Sequence, residues 1–235
     1  SKYYTKFTWR YSGVTMRIVC CVPMKLNNER LPNKNTMRMA NGQPLCSFVL
    51  NTIKKVSNID DIFVYCSNDK IKKHIPNNIN FLKRSASLDT NKTSMIDVLK
   101  SFSHDVSADI YVLVHATAPF LKESSIESAI CKVKSGGFDS AFSVEKFSDF
   151  IWVDGAPNYD IKNIPRTQDL NPYYKETSGF YIFNRDIITE LGQRIGNKPY
   201  LQVISRKEAV DIDDQEDAEF ANMILNNQLI EGVLS

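Results

Sequence analysis

Three short apolar runs, separated by helical patterns, constrain this chain more than any other feature. Residues 17–22 (Arg-Ile-Val-Cys-Cys-Val), 61–67 (Asp-Ile-Phe-Val-Tyr-Cys-Ser) and 109–115 (Asp-Ile-Tyr-Val-Leu-Val-His) are rich in β-branched residues and break into polar or proline-bearing exits. Runs of that length without polar alternation read as strands buried on both faces. A weaker strand follows at residues 80–84. Between them, Pro44 suits the first turn of a helix reaching about Val56, and Thr93 is placed to cap a helix with Met95, Val98, Leu99 and Phe102 inward. Ser124 or Ser125 opens another helix to about Ser135, ended by Gly136 and Gly137. This β-α alternation predicts an α/β, three-layer α/β/α architecture with a mostly parallel sheet.

The pattern changes after residue 145. Residues 146–177 hold Phe147, Phe150, Trp152, Tyr159, Tyr173 and Tyr174 among turn residues with no helical period, an excursion suited to packing on a partner or over a ligand. The core resumes at residues 178–183, followed by a short helix at 185–191, a strand at 200–205 and a last helix with Phe220, Met223 and Ile224 inward. No repeat and no Pro/Gly-rich linker divides residues 16–235, which read as one domain. Residues 1–15, aromatic and polar, read as an N-terminal extension without assigned chemistry.

Composition excludes several classes. With 29 basic against 27 acidic residues, net +2, neither nucleic acid nor a membrane surface is predicted as partner. The five cysteines lack the spacing of a disulfide framework, and Cys20 and Cys21 read as small buried hydrophobes in the first strand. No stretch has 18 consecutive apolar residues and the opening residues carry no signal-peptide apolar run, so the cytoplasm is the expected setting.

An α/β sheet collects ligands outside the carboxyl ends of its strands. The first strand exits through Pro23 into a loop that sets Lys25, Arg30 and Lys34 among Asn27, Asn28 and Asn35. Such a cationic, amide-rich loop suits a polyphosphate, although a solvated basic loop has the same composition. Near the other end, Asp211-Ile212-Asp213, read as a strand, puts both carboxylates on one face, where Mg²⁺ (or Mn²⁺) would bind alongside substrate phosphates. Asp214 is assigned instead to capping the last helix, with Glu216 and Asp217 as its acidic first turn. His115 at a strand exit reads as a hydrogen-bonding lining residue rather than an acid or base. Arg166 and Lys175 are candidate clamps for an anionic substrate, with plain surface charge as the alternative.

Four stretches in order carry a resemblance. They are the first-strand loop (Lys25, Asn27, Asn28, Leu31, Pro32, Lys34, Asn35), His115-Ala116-Thr117-Ala118-Pro119, Thr177-Ser178-Gly179-Phe180-Tyr181, and Asp211-Ile212-Asp213. Together they resemble the cytidylyltransferases that activate 2-keto sugar acids, above all the CMP-N-acetylneuraminate (CMP-sialic acid) synthetases, over about residues 16–227. The chain departs from that pattern with Lys25 for an arginine, His115 for a glutamine, and Leu26, Asn27 and Asn28 for loop glycines. The resemblance implies a Rossmann-like nucleotide-binding sheet and a reaction of CTP with an acidic keto-sugar, a sialic or other nonulosonic acid, giving the CMP-sugar and pyrophosphate. It implies Lys25, Lys34 and Asp211 as the catalytic set, and Asn27, Asn28, Lys34, Asn35, Arg84 and Ser94 toward the nucleotide. His115, Thr117, Arg166, Lys175 and Tyr181 would face the sugar, Asp211 and Asp213 the metal, and residues 146–177 a second copy in a homodimer. Arg30-Leu31-Pro32 with Lys34 is also similar to the CMP-KDO synthetases. A nucleotide-sugar glycosyltransferase with an Asp-x-Asp metal site, and a sugar-nucleotide-binding relative without turnover, stand as rivals.

Overall fold

The computed structural model describes residues 15–234; residues 1–14 of the expected extension lie outside the described residues. In chain order the elements are β1 (Ile18–Met24), α1 (Leu45–Ile53), β2 (Asp61–Cys66), β3 (Asn80–Lys83), α2 (Met95–Asp105), β4 (Ile110–Val114), α3 (Glu123–Lys134) and β5 (Ser140–Phe147). After them come β6 (Trp152–Val153), β7 (Ala156–Pro157), β8 (Tyr173–Asn184), α4 (Arg185–Thr189), β9 (Pro199–Val203) and α5 (Gln215–Leu234). The central sheet has seven strands in the order β3-β2-β1-β4-β8-β5-β9. β1 pairs in parallel with β2 and β4, and β5 with β9, as the apolar runs predict. β8 is the exception. It enters antiparallel between β4 and β5, with Leu113 opposite Tyr181.

Alternation along β1 splits the core between the two faces. Cys20, Val22 and Met24 meet Val49 and Leu50 of α1 and the layer of Ile126 and Ile130 from α3. Val19 and Cys21 point the other way, into Leu99 and Phe102 of α2 and Ile187 of α4. Each such fully buried aliphatic or aromatic side chain stabilises the fold by about 1.5–3 kcal/mol. Among the described residues no helix is long and apolar enough to cross a membrane.

Local chemistry moves several expected boundaries. Ser94, not Thr93, caps α2: its hydroxyl accepts from Asp97 N–H at 3.1 Å while the Asp97 carboxylate accepts from Ser94 N–H at 3.0 Å. Thr93 bonds the Thr90 hydroxyl instead. α3 starts at Glu123, and Ser125 does not cap it. The buried Glu208 carboxylate accepts from Lys122 N–H (3.0 Å) and from the Ser125 hydroxyl (2.8 Å), so a distant side chain satisfies the helix end. The inward face of α5 is Ala218, Ala221 and Leu225, whereas Phe220 and Met223 are 55% and 65% exposed. Small residues let this helix lie close over Ile212 and Leu45, and its two apolar stripes made the sequence pattern ambiguous.

The excursion contains no α-helix. β6 and β7 form a hairpin around Asp154 (φ 50°) and Gly155 (φ 78°), the left-handed pair that a type I′ turn requires. The outer ends of β5 and β8 continue into it, where Phe147 stacks on Tyr173. Phe150, Trp152, Ile161, Ile164 and Tyr174 along it are exposed.

Candidate active site

At the carboxyl ends of β1 and β4 a pocket of about 350 Å³ opens, lined by residues from both ends of the sequence. Three local devices shape it. Pro23 and Met24 end β1, and the chain doubles back through a 3-10 turn at Lys34–Thr36, entered by Asn33 in the left-handed region (φ 56°). The buried Asn35 amide donates to the Lys25 carbonyl at 2.9 Å, tying the two ends of the loop together. Opposite, β8 carries a residue with φ 58°, Ser178, followed by Gly179, whose carbonyl accepts from His115 N–H at 3.0 Å. A side chain at Gly179 would press to 3.0 Å from Leu121 Cδ2 and 3.1 Å from Ser143 Oγ, so this irregular crossing needs glycine. It turns Ser178 into the pocket wall beside His115 and Thr117.

The acidic pair enters from the third side. Residues 211–213 are not a strand; Ile212 is anchored by its N–H to the Thr117 carbonyl at 2.9 Å and by its buried side chain under α5, and the Asp213 N–H by the Asp217 carboxylate at 2.9 Å. With Ile212 fixed inward, Asp211 and Asp213 both line the pocket, so the convergence expected of a strand is reached without one. Asp213 accepts from Lys34 Nζ and pairs with Arg30, each at 3.2 Å. Asp211 Oδ1 is buried without a partner. Burial first, then Asp213, raises its carboxyl above the usual range, against Thr117 and Lys34, which lower it.

Lys25, Asn28, Lys34, Asn35, Arg84, Ser94, His115, Thr117, Asp211 and Asp213 all line this one pocket. Lys25 approaches Asn91 Oδ1 at 3.5 Å, and Lys34 is the more enclosed cation, its side chain 12% exposed. The Ser94 hydroxyl is engaged in the α2 cap described above. Four expected residues fall outside the lining. Asn27 is exposed and donates to the Asp89 carbonyl at 3.4 Å. Arg166 is exposed and paired with Asp169 at 2.8 Å, and Lys175 lies exposed on the outer part of β8. Tyr181 is buried beneath the pocket, its ring edge-on to His115 and its hydroxyl donating to Glu176 at 2.6 Å.

His115 is partly buried, and its Nε2 has no partner. Burial, then the nearby Arg194 and Lys34 charges, hold its pKa down to about 4 despite Asp213, so the imidazole is neutral near pH 7. The pocket therefore offers loop cations, carboxylates of which Asp213 is paired with those cations, and neutral hydrogen-bonding groups at His115 and Thr117. That set suits a polyanion together with a hydroxyl-rich reaction partner. Asp89, Asn91 and Glu29 were missed from the sequence. The available signal for Asp89 was Arg84: an arginine at a strand exit that the fold buries needs a carboxylate close by.

A model of a family described as cytidylyltransferase matches residues 19–233. The N-acylneuraminate cytidylyltransferase of Streptococcus agalactiae serotype III (strain NEM316) is 24% identical over 214 residues, covering 86% of this chain and 52% of that protein. The 3-deoxy-manno-octulosonate cytidylyltransferase 2 of Hydrogenovibrio crunogenus is 24% identical over 161 residues, 67% of this chain and 63% of that one. The chain thus spans about half the length of the streptococcal relative. Among solved structures, a CMP:2-keto-3-deoxy-manno-octonic acid synthetase complexed with CTP superposes with a TM-score of 0.69 at 14% identity, over 90% of this chain and 99% of its own. The 4-diphosphocytidyl-2C-methyl-D-erythritol synthase of Anaerococcus prevotii gives 0.62 at 15% identity, over 90% and 96%. These two show likeness of fold.

Proposed function

The chain belongs to the cytidylyltransferase family, and we propose that it joins CTP to a 2-keto sugar acid, a sialic or related nonulosonic acid, with release of pyrophosphate. One observation carries the reading: the loop cations Lys25 and Lys34 and the carboxylates Asp211 and Asp213 line the same pocket as Asn28, Asn35, Arg84 and Ser94. In the proposed reaction the anomeric hydroxyl attacks the α-phosphorus, its oxygen bonds to phosphorus, the bond to pyrophosphate breaks, and the hydroxyl proton is lost. Transfers of this kind rest on positioning and on charge stabilisation. Lys34, held between the pocket and Asp213, neutralises charge building on the leaving pyrophosphate, and Lys25 adds a second point charge at the loop mouth. Arg84, Asn28, Asn35 and Ser94 face the nucleoside. Neutral His115, with its free Nε2, and Thr117 hydrogen-bond the sugar without adding charge.

The buried, unpartnered Asp211 Oδ1 fits a metal ligand, and two carboxylates with substrate phosphates meet the needs of Mg²⁺ or Mn²⁺. Asp211 and Asp213 would hold it. Bound there, the ion supplies positive charge to the phosphate oxygens.

Arg166 and Lys175 are exposed away from the pocket, on the aromatic excursion. We assign the excursion to a homodimer, in which these cations reach the acidic sugar in the partner's pocket. A second reading, a CMP-KDO-type synthetase, is favoured by the Hydrogenovibrio relative. Pyrophosphate release across a panel of nucleotides and keto-sugar acids tests both. Release with CTP and a nonulosonic acid is expected; release with KDO alone selects the second reading, and release with no acid at all overturns both.

A further inference from the structure

Asp89 ends the 3-10 turn Ala86–Asp89, and its side chain is only 15% exposed beside Arg84, which lines the pocket. Its Oδ1 accepts from Arg84 Nε at 3.2 Å and from Arg84 Nη2 at 2.8 Å. Its Oδ2 accepts from the Ser67 hydroxyl, and its backbone carbonyl from the Asn27 amide at 3.4 Å. Two residues on, Asn91 bonds Glu29 and approaches Lys25 Nζ, so the same short segment grips the triphosphate loop. Arg84 is 6% exposed and lines the pocket, with Nη1 making no hydrogen bond to another described residue. A guanidinium gripped through Nε and Nη2 has one orientation left, with the Nη1 donors outward.

We infer that Asp89 is a positioning residue for nucleotide recognition: through its grip on Arg84 it fixes a planar donor edge toward the base side of the pocket. This rests on the proposed CTP reading and deepens it. The ligand chemistry follows from donors alone. A base edge of two adjacent acceptors, such as the ring nitrogen and 2-carbonyl of cytosine, matches such an edge, whereas the N–H of uracil at the same place opposes it. Without Asp89, Arg84 keeps its charge and loses its aim, so nucleotide affinity falls and the preference between pyrimidines narrows. Lys34 and the acidic pair are untouched, and the sugar side keeps its contacts.

The test measures CTP and UTP binding by calorimetry on the full chain, together with steady-state kinetics, for the wild type, Asp89→Asn and Ser67→Ala. Ser67 lies outside the pocket lining, and its substitution removes one bond to Asp89, so it serves if the Asp89 variant fails to fold. Expected for Asp89→Asn are CTP affinity weaker by at least about tenfold (1.4 kcal/mol) and a CTP-over-UTP preference reduced by a similar factor. The KM for the sugar acid should stay within about threefold, with Ser67→Ala moving nucleotide affinity and preference the same way by less. A structural ion pair would not move the preference. Unchanged CTP affinity and preference in a folded Asp89→Asn, or in Ser67→Ala where Asp89→Asn does not fold, overturns the inference. Wild-type protein that binds no CTP overturns the inference and the proposed reaction alike. Wild-type protein that binds CTP but joins it to no keto acid overturns only the reaction.

Discussion

Lys34 is the residue on which the triphosphate reading turns, because it is enclosed on the pocket side and leans on Asp213 at 3.2 Å. Lys34→Ala should lower pyrophosphate release by about a hundredfold or more with the far-UV spectrum unchanged, the usual loss for a transition-state donor. A lysine on a merely solvated loop would change it less than about threefold. His115 makes a prediction of a different kind. Its pKa of about 4 lies below its ordinary 6.5, so between those values the unfolded chain takes up the proton more readily than the folded one. The stability contributed by the neutral ring is full above about pH 6.5 and drains away as pH falls toward 4. His115→Gln should therefore lose on the order of 1–2 kcal/mol less than wild type between pH 7 and 5, read from denaturant midpoints at each pH. Lys34, His115 and Asp213 were legible in the sequence because charge and strand exits mark them. Asp89 was not: one carboxylate in a turn looks like solvated polarity until the buried arginine beside it is placed.

At the scale of elements, the start of α5 separates two roles for adjacent aspartates. Asp214 Oδ1 accepts from Asp217 N–H at 3.0 Å while Asp217 Oδ2 accepts from the N–H groups of Asp213 and Asp214, a reciprocal cap. Asp211→Asn and Asp213→Asn should raise the Mg²⁺ needed for half-maximal activity at least tenfold, roughly 1.4 kcal/mol. Asp214→Asn should titrate like wild type, since asparagine caps as well as aspartate. Wild-type titration by both pocket variants would remove the metal from this site. The sequence expected a strand at residues 211–213 because alternate carboxylates around an isoleucine look like one. The Ile212 bond to Thr117 has no local signature, as it depends on the loop after β4. Strand direction was equally hidden: residues 179–183 of β8 are buried and as apolar as a parallel strand, so their pattern carries no sign of direction.

For the whole molecule, the proposed homodimer rests on the excursion. A monomer would leave Trp152, Ile161 and Ile164 in water at 59%, 60% and 69% exposure on one arm. Light scattering should give about twice the 26.8 kDa chain mass. A chain that stays monomeric at micromolar concentration while fully active would refute the shared site. The layers of the fold were readable from the apolar runs, and the aromatic excursion from its density of Phe, Trp and Tyr, but its hairpin depends on the positive φ of Asp154 and Gly155.

The sheet order has a consequence for biosynthesis. As the chain leaves the ribosome, β1 to β4 can assemble as they emerge, but β5 pairs only with β8 and β9, and β8 must slot between β4 and β5. The flank of β4 therefore stays open while residues 115–179 are being made, and β5 waits without a neighbour. Contacts that span so much sequence form late and slowly. An apolar strand edge left open for that interval is the stage at which a nascent chain is most prone to stick to another, so the last third of the polypeptide both completes the fold and shields it.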